Sequence, residues 1–284
     1  MRFAMFEVEG RRGLAVDRAG SFHGIFADNA DYPGELETLI ATGADLSAVA
    51  KRLEGGPTAD LTHARFLPPL SHPRKIICVG LNYRAHSSEA GFEEQTYPTV
   101  FARFATSLIG HGDPVRMPAQ SSQLDYEGEL VAVVGKSGRN IGKGAALGHV
   151  AGYTIFNDAT LRDYQFRTPQ WTMGKNFDGT GALGPYFVPA DELPPGCHGL
   201  QLQTRLNGQV VQNASISDMI FDVQTLVSLL SEVFTLEAGD LIVTGTPAGV
   251  GMARKPQLWM RAGDVCEVEI DKLGVLRNTV AAPR

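Results

Sequence analysis

The sequence predicts an α+β protein that is mostly β, with a small N-terminal α/β domain at residues 1–70 and a larger strand-rich domain at residues 71–284. Three observations favour this class. Strand-like apolar runs alternate with glycine-rich turns from about residue 122 onward, and the chain contains 32 Gly and 16 Pro. A proline-rich stretch, FLPPLSHPRK, predicts a domain boundary near residue 71.

The N-terminal segment begins with MRFAMFEVEGRRGLAVDRAGSFHGIFA, which predicts short strands separated by turns at Gly10, Gly13 and Gly20. The stretch ELETLIATGADLSAVAKRLEGG then predicts two short helices separated by Gly43. No cluster of acids, bases or nucleophiles occurs here. We therefore expect this segment to have a structural or dimer-positioning role.

The second segment contains strand-like runs such as KIICVG, ELVAVVG and DLIVTG, and one clearly amphipathic helix. The apolar positions of this helix recur at steps of three and four residues, at Val223, Leu226, Val227, Leu230 and Phe234. Ser215 and Asp218 are predicted to form its capping box, and Gly239 follows its end.

Composition excludes several classes of function. The formal net charge is −6, which argues against a nucleic-acid or membrane-surface partner. Cys78, Cys197 and Cys266 are far apart in the sequence and predict reduced thiols, as in a cytoplasmic protein. The sequence shows no signal peptide and no apolar run of membrane-spanning length, so we expect a cytoplasmic location.

Two glycine motifs resemble nucleotide-binding loops but fail on context. GTGALG at residues 179–184 fits G-x-G-x-x-G, yet Pro185 follows where a helix should open, so a simple loop is predicted. GKS at residues 135–137 would need a glycine at position 130, which is Leu130. Neither motif predicts a phosphate site.

The stretch LDYEGELVAVVGK is the most informative part of the sequence. On a regular strand Asp125, Glu127 and Glu129 would share one face. Apolar residues continue on both faces downstream, as in a strand covered on both sides. Buried glutamates need partners, so either arginines neutralise them or a divalent cation binds them. Both alternatives remain open from the residues alone.

A metal site would need a third ligand from another strand. YTIFND is an apolar run that ends in an acid, Asp158, and is the best candidate. The pair Glu267 and Glu269, which flanks Val268, has the same spacing but instead predicts the solvent face of a hairpin. Spacing alone therefore does not predict a metal site.

Several segments together resemble the fumarylacetoacetate hydrolase family. These are KIICVGLNYRAHSSEAG, DYEGELVAVVG, YTIFNDATLRDYQ, QWTMGKNFDG, LGPYFV, LNGQVVQ and LIVTGTPAGVG, in the family's order over roughly residues 71–280. The resemblance implies a mixed β-sandwich roll, a homodimer, and one Mg²⁺ or Mn²⁺ per chain at Glu127, Glu129 and Asp158. Asp125 would then orient a ligand or pair with a base.

The resemblance also implies catalytic residues. His86 and Glu89 are three residues apart, so on a helical turn they share one face, where a carboxylate would orient the imidazole as a general base. By themselves these two residues would rather indicate a solvated pair on a surface helix. In the family this pair often lies on a lid that orders when substrate binds. Lys175 would stabilise an enolate or bind a carboxylate.

Four further residues are predicted to bind substrate. Arg162 and Gln165 follow Asp158 and match the family's anion contacts, as Thr246 does in the loop TGTPAG. Without the resemblance, Arg162 would be a surface charge and Thr246 a turn residue. Arg103 stands where many relatives have lysine, which keeps the positive charge but changes its geometry.

The resemblance implies a metal-dependent hydrolase that cleaves a carbon–carbon bond in a 1,3-dicarbonyl acid such as an acylpyruvate or fumarylpyruvate. An oxaloacetate-type decarboxylase or a hydroxymuconate-type isomerase would use the same residues, because all three reactions form a pyruvate-type enolate. A non-catalytic metal-binding protein is the alternative of another class, although it would not need a base. The expected partner is a small keto acid.

Overall fold

The structure, a computed structural model, describes residues 1–18, 20–89, 91 and 95–283. Within these ranges the strands are β1 (Arg2–Val8), β2 (Arg11–Arg18), β3 (Ser21–Phe26), β4 (Arg65–Phe66), β5 (Ile76–Gly80), β6 (Thr99–Arg103), β7 (Leu108–Ile109), β8 (Val115–Arg116), β9 (Leu124–Asp125), β10 (Gly128–Val134), β11 (Val150–Asp158), β12 (Thr160–Leu161), β13 (Gly181–Pro189), β14 (Gln201–Leu206), β15 (Gln209–Ser215), β16 (Leu241–Val243), β17 (Val265–Ile270) and β18 (Gly274–Ala281). The helices are α1 (Leu36–Ala41), α2 (Leu46–Glu54), α3 (Arg84–Glu89), α4 (Arg162–Gln165), α5 (Thr172–Lys175) and α6 (Val223–Val233).

One large mixed sheet dominates the described part of the chain, with the order β3-β2-β1-β13-β11-β10-β16-β5-β6, β4 beside β1 and β7 beside β13. A second sheet has the order β15-β14-β17-β18-β8, and β9 pairs with β12. Strands β5 and β16 run parallel, whereas β10 is antiparallel to both of its neighbours. The predicted α+β, mostly β class is therefore confirmed.

Strand β10 is buried along its whole length, as predicted for a strand covered on both faces. Leu130 and Ala132 belong to a core shared with α6 and the second sheet, while Val131 and Val133 belong to a core shared with α1, α2 and the N-terminal strands. Burial of each leucine or valine side chain among them stabilises the fold by about 1.5–3 kcal/mol. The two cores hold β10 firmly, so groups at its start are fixed in place.

The N-terminal segment contains the predicted strands and the two predicted helices. Gly10 and Gly20 have positive φ in turns, as expected. Gly13, in contrast, lies inside β2 and not in a turn. Glycine is needed there because a Cβ would meet the Phe6 ring at 2.5 Å. Strand β1 pairs with β13, so the large sheet continues across the predicted boundary. The division near residue 71 stays a prediction.

The predicted amphipathic helix is α6, and its apolar side chains pack into the core. Its cap differs from the prediction. Ser215 and Asp218 do form a capping box, but around a separate short turn, whereas the Asp222 side chain accepts the Thr225 N–H at the start of α6. None of the helices in the described ranges is long and apolar enough to cross a membrane.

Candidate metal centre and active site

The strand structure is interrupted between β9 and β10. The chain enters β10 only at Gly128, so Glu127 lies outside a strand. Two buried side-chain amides replace the missing strand hydrogen bonds: the Glu127 N–H donates to Asn157 Oδ1 at 3.0 Å, and the Gly128 N–H donates to Gln212 Oε1 at 3.0 Å. Because buried backbone groups need such partners, these amides hold the interruption in one conformation.

This interruption turns Asp125 away from the neighbouring carboxylates, which a regular strand would not do. Its carboxylate accepts the N–H groups of Gly251 at 2.7 Å and Met252 at 3.0 Å. It also accepts Arg162 Nε at 2.9 Å. Since Arg162 in turn pairs with Glu127, Asp125 supports the site through another residue.

Three other carboxylates converge where β10 begins and β11 ends. Glu127, Glu129 and Asp158 each place a carboxylate oxygen within 4.8 Å of the others, and all three are buried. Antiparallel pairing sets Gly128 opposite Asn157, which brings the start of one strand beside the end of the other. The structure thus brings together the three predicted metal ligands, called the triad below.

Three buried cationic side chains pair with these acids. Lys175 Nζ lies 2.5 Å from Glu127 Oε2 and 2.7 Å from Asp158 Oδ2. Arg162 Nη2 lies 2.6 Å from Glu127 Oε1, and Arg103 Nη1 donates to Asp158. Neutralisation by basic residues and a cluster suited to a cation, the two alternatives drawn from the sequence, therefore occur together.

Glu129 differs from the others, because no cationic side chain in the described ranges forms an ion pair with it. It accepts one hydrogen bond, from the Gly245 N–H at 2.6 Å. Burial and the neighbouring carboxylates raise the pKa of Glu129 well above its usual range. Burial would also raise the pKa of Glu127, but the charges of Arg162 and Lys175 outweigh it and lower that pKa to about 2.

The donor set fits a hard divalent cation. Counting Asp125, four buried carboxylates face three cationic side chains, and Glu129 is the acid left without one. Oxygen donors of this kind suit Mg²⁺ and Mn²⁺. Glu127, Glu129 and Asp158 would hold the ion, and three protein ligands leave positions for water and substrate.

The predicted pair of a histidine base and its orienting glutamate forms on α3. His86 Nδ1 lies 3.1 Å from Glu89 Oε1, and His86 lines the same pocket as Glu127 and Glu129. With Nδ1 bound by the carboxylate, Nε2 is the ring nitrogen available to a ligand. His86 is only 7% exposed whereas Glu89 is exposed, so the imidazole is buried and only the carboxylate half of this pair is solvated.

The predicted substrate contacts Arg162, Gln165 and Thr246 also line the pocket. Arg162 Nη1 donates to Gln165 Oε1 at 2.8 Å, and the Thr246 hydroxyl donates to the Gly128 carbonyl at 3.0 Å. Arg162 Nη2, although close to Glu127, has no aligned hydrogen-bond acceptor. At 2.6 Å the two groups still form an ion pair, so Arg162 contributes its charge to the pocket that it lines.

Arg103 is placed differently from the prediction, which made it a substrate contact. It does not line the pocket, and its side chain is fully buried. Its guanidinium donates to Asp158, to the Thr180 hydroxyl at 2.8 Å, to the Ala159 carbonyl at 3.2 Å and to the Ser107 hydroxyl at 3.2 Å. Since protein acceptors occupy these donors, Arg103 positions Asp158.

The pocket is small. Water-sized spheres can be centred in about 40 Å³ of it, which is room for a few water molecules. Trp171 forms part of its apolar wall, edge-on to Phe101 with ring centroids 5.6 Å apart. A Cβ at Gly80 would meet the Trp171 ring at 2.2 Å, so only glycine fits there. Sequence reasoning missed this wall, because nothing local indicates that a loop tryptophan reaches a strand glycine.

Cys78, on β5, lies near the triad. All three cysteines are free and buried, as predicted for reduced thiols. Burial and the charges of Asp158 and Glu129 raise the pKa of the Cys78 thiol well above its usual range. The thiol therefore stays neutral and serves as a small apolar side chain.

The rejected nucleotide motif GTGALG is not the simple loop that was predicted. Residues from Gly181 onward belong to β13 (Gly181–Pro189), and no helix opens at Gly184. Gly181 is needed because a Cβ would meet the Phe156 ring at 2.8 Å and the Arg103 guanidinium at 2.9 Å. These glycines make room for neighbouring side chains rather than for a phosphate.

The chain is similar to several known proteins over most of its length. A family model described as fumarylacetoacetate hydrolase C-terminal matches residues 75–281. An oxaloacetate tautomerase from Bacillus subtilis is 42% identical over 262 residues, covering 87% of this chain and 87% of its own length. The solved structure of a fumarylacetoacetate hydrolase from psychrophilic Exiguobacterium antarcticum has a TM-score of 0.87 at 37% identity and covers 99% of both chains. That of fumarylpyruvate hydrolase from Pseudomonas aeruginosa in complex with Mn²⁺ and pyruvate has a TM-score of 0.68 at 34% identity, covering 76% of this chain and 91% of its own.

Proposed function

The chain belongs to the fumarylacetoacetate hydrolase family, and on that premise we propose that it is a divalent-metal-dependent enzyme that forms the enolate of a small 2-keto dicarboxylic acid. The best-supported reaction is interconversion of the keto and enol forms of oxaloacetate. The observation that carries this proposal is that His86 and two triad acids, Glu127 and Glu129, line one pocket of about 40 Å³. Keto–enol conversion needs a base and stabilisation of an oxyanion, but no attacking water.

Each residue has a definite task in this reaction. Arg162, a cationic side chain that lines the pocket, attracts a substrate carboxylate. His86 Nε2 removes a proton from C3 and becomes an imidazolium, and the electron pair of that C–H bond becomes the C2–C3 double bond. The 2-oxo oxygen then takes up one proton from the imidazolium, which restores the neutral imidazole and completes the enol. Glu89 holds the imidazole and stabilises its protonated form. Lys175 keeps Glu127 and Asp158 together. The divalent ion, when bound, supplies Lewis-acid stabilisation of negative charge on oxygen.

Two further observations support a small substrate. The pocket holds only a few waters, and Trp171 and Phe101 limit its extent on one side. A four-carbon diacid needs less room than the longer acids of aromatic breakdown. The relative from Bacillus subtilis is named an oxaloacetate tautomerase and is 42% identical, which agrees with that size.

The carbon–carbon hydrolase predicted from the sequence is the second candidate. The His86–Glu89 contact favours it, because an oriented imidazole can also activate water against a 1,3-dicarbonyl. The fumarylpyruvate hydrolase among the similar structures gives it further support. Decarboxylation of oxaloacetate and isomerisation of a hydroxymuconate-type acid would pass through the same kind of enolate.

One substrate panel separates these reactions. Purified protein with Mg²⁺ is given enol oxaloacetate, keto oxaloacetate, acetylpyruvate and a hydroxymuconate-type acid. Ultraviolet absorbance follows the enols, and released pyruvate is assayed separately. We expect rapid loss of enol oxaloacetate absorbance without release of pyruvate. Rapid pyruvate release from acetylpyruvate, with no effect on enol oxaloacetate, would replace the tautomerase by the hydrolase.

Three predictions accompany this function. We propose one Mg²⁺ or Mn²⁺ per chain, supported by the all-oxygen triad and by the Mn²⁺ named in the similar hydrolase structure. Atomic-emission analysis of the dialysed protein tests the stoichiometry. A homodimer is tested by light scattering after gel filtration, and a cytoplasmic location by fractionation of the source cells.

A further inference from the structure

Glu89 makes a second contact in addition to the one with His86. Its two carboxylate oxygens accept the Gly249 N–H at 2.9 and 3.0 Å. Glu89 ends the helix α3 that carries the base, while Gly249 lies in the loop between β16 and β17. One carboxylate therefore orients the imidazole and fastens its helix to a loop that is distant in sequence.

The Gly249 peptide is itself fixed in place. Its φ is +105°, and a Cβ would meet the Val211 carbonyl at 2.1 Å, so only glycine fits. Its carbonyl accepts the Tyr126 hydroxyl at 3.0 Å and Arg254 Nε at 3.1 Å. The Gly249 N–H therefore binds Glu89, while the Gly249 carbonyl is held by Tyr126 and Arg254.

Tyr126 and Arg254 also bind each other. Arg254 Nε donates to the Tyr126 hydroxyl at 3.0 Å, and Arg254 Nη2 donates to the Val211 carbonyl at 2.6 Å. Burial raises the pKa of Tyr126 to about 12, so its hydroxyl keeps the proton that it donates. Tyr126 immediately precedes Glu127 in the sequence, so the hydrogen bonds that hold Gly249 start from a residue next to the triad.

We propose that Tyr126 and Arg254 are positioning residues that hold the Gly249 N–H in place for Glu89, and so set the closed position of α3 with His86 over the pocket. We call the set of Tyr126, Arg254, Gly249 and Glu89 the latch. Neither Tyr126 nor Arg254 lines the pocket, so they act through Gly249 and Glu89. The catalytic consequence rests on the proposed function, whereas the closure of α3 does not.

Hydrogen–deuterium exchange measured by mass spectrometry tests the latch without any substrate. Tyr126→Phe and Arg254→Gln each remove hydrogen bonds to Gly249, and one such bond corresponds to roughly a 2- to 10-fold change in an opening equilibrium. We expect exchange in residues 81–89 to rise by that factor while residues 128–134 of β10 stay protected. Tyr186→Phe, which removes a tyrosine hydroxyl near Phe22 and outside the pocket, is the matched control and should change neither segment. A rise in both segments, or in neither, would overturn the proposal.

A double-mutant cycle tests the catalytic part. If Tyr126 acts only through Glu89, then Tyr126→Phe should lower kcat in the parent protein but add nothing to Glu89→Ala, which removes the acceptor of the Gly249 N–H. Mn²⁺ affinity, measured by titration calorimetry, should be the same in parent and Tyr126→Phe proteins. Additive losses or weakened Mn²⁺ binding would show that Tyr126 acts on Glu127 instead. If no tautomerase activity exists at all, the exchange result still decides whether the latch closes α3.

Discussion

Lys175 bridges two of the predicted metal ligands: its Nζ lies 2.5 Å from Glu127 Oε2 and 2.7 Å from Asp158 Oδ2, and the side chain is 2% exposed. Burial opposes the charge of this ammonium, but Asp158 and Glu127 outweigh that effect and raise the pKa of Lys175 above its usual value. Two buried acids therefore share one positive charge of the protein before any ion binds.

The first prediction concerns stability. Lys175→Met leaves two buried carboxylates with less compensation, and in a chelating buffer we expect it to lower the free energy of unfolding by about 3 kcal/mol. Saturating Mg²⁺ should recover much of this loss, because an ion that binds only the folded state stabilises it. Urea unfolding with and without Mg²⁺ measures both effects.

Lys75 offers a matched control. Its Nζ also lies between two acids, 2.6 Å from Glu237 Oε2 and 2.9 Å from Asp240 Oδ2, but its side chain is 30% exposed. Lys75→Met should therefore be destabilised without any recovery in Mg²⁺. If Lys175→Met showed no recovery either, the triad would not be the ion site.

The second prediction is a pH dependence caused by Glu129. Its pKa is raised in the folded state, so the folded protein holds this proton more tightly than the unfolded chain, where glutamate titrates at about 4.3. The resulting stability is fully present below about pH 4.3 and is lost as the pH rises through the folded-state pKa.

Denaturant unfolding over a pH series in chelator measures this effect. We expect Glu129→Gln to lack the loss and to be more stable than the parent at the upper end of the series. Adding Mg²⁺ should reverse the order, because the ion stabilises ionised Glu129 and not the glutamine amide. Parallel pH profiles for the two proteins would mean that Glu129 carries no surplus charge.

The third prediction separates the base from the metal. His86→Ala should retain Mn²⁺ affinity but lose about 10² to 10⁴ in turnover of enol oxaloacetate, the usual range for a lost general base. Glu89→Gln should lose less, because the imidazole remains. His63→Ala, an exposed histidine outside the pocket, serves as the control. Parent-like turnover in His86→Ala would remove the imidazole from the mechanism.

The fourth prediction concerns substrate size. Trp171→Ala should open the apolar wall. The ratio of kcat/KM for an acylpyruvate with a longer acyl chain to that for oxaloacetate should then rise by roughly tenfold, which is the lower end of the discrimination that a methylene group gives in an apolar pocket. Met173→Ala changes a neighbouring side chain that is 64% exposed, and it should leave this ratio unchanged. An unchanged ratio in Trp171→Ala would mean that another group limits substrate length.

Much of the candidate site could be predicted because it follows local patterns. Glu129 at the start of an apolar strand, and Asp158 at the end of another, needed only strand alternation and burial. The pairing of His86 with Glu89 needed only helical spacing. In each case the local pattern indicated the residues, while their roles as metal ligands and as a base came from the resemblance to the family.

Other features depend on contacts between distant segments, which no local pattern contains. The amides of Asn157 and Gln212 look like ordinary strand residues until the interruption before β10 gives them backbone groups to bind. Arg103 was assigned to substrate because its charge was visible, whereas its burial against Asp158 was not. Trp171 gained its place only when its loop reached Gly80.

The neutral thiol of Cys78 has a consequence for which metals the protein accepts. Soft and borderline ions such as Cu⁺ and Zn²⁺ gain much of their affinity from thiolate ligands, and at equal ligand sets they outcompete Mg²⁺ and Mn²⁺. Because burial and the adjacent acids keep this sulfur protonated in the ion-free protein, a soft ion must displace the thiol proton before Cys78 can act as a ligand. This cost reduces the advantage of soft ions over hard ions at the proposed site.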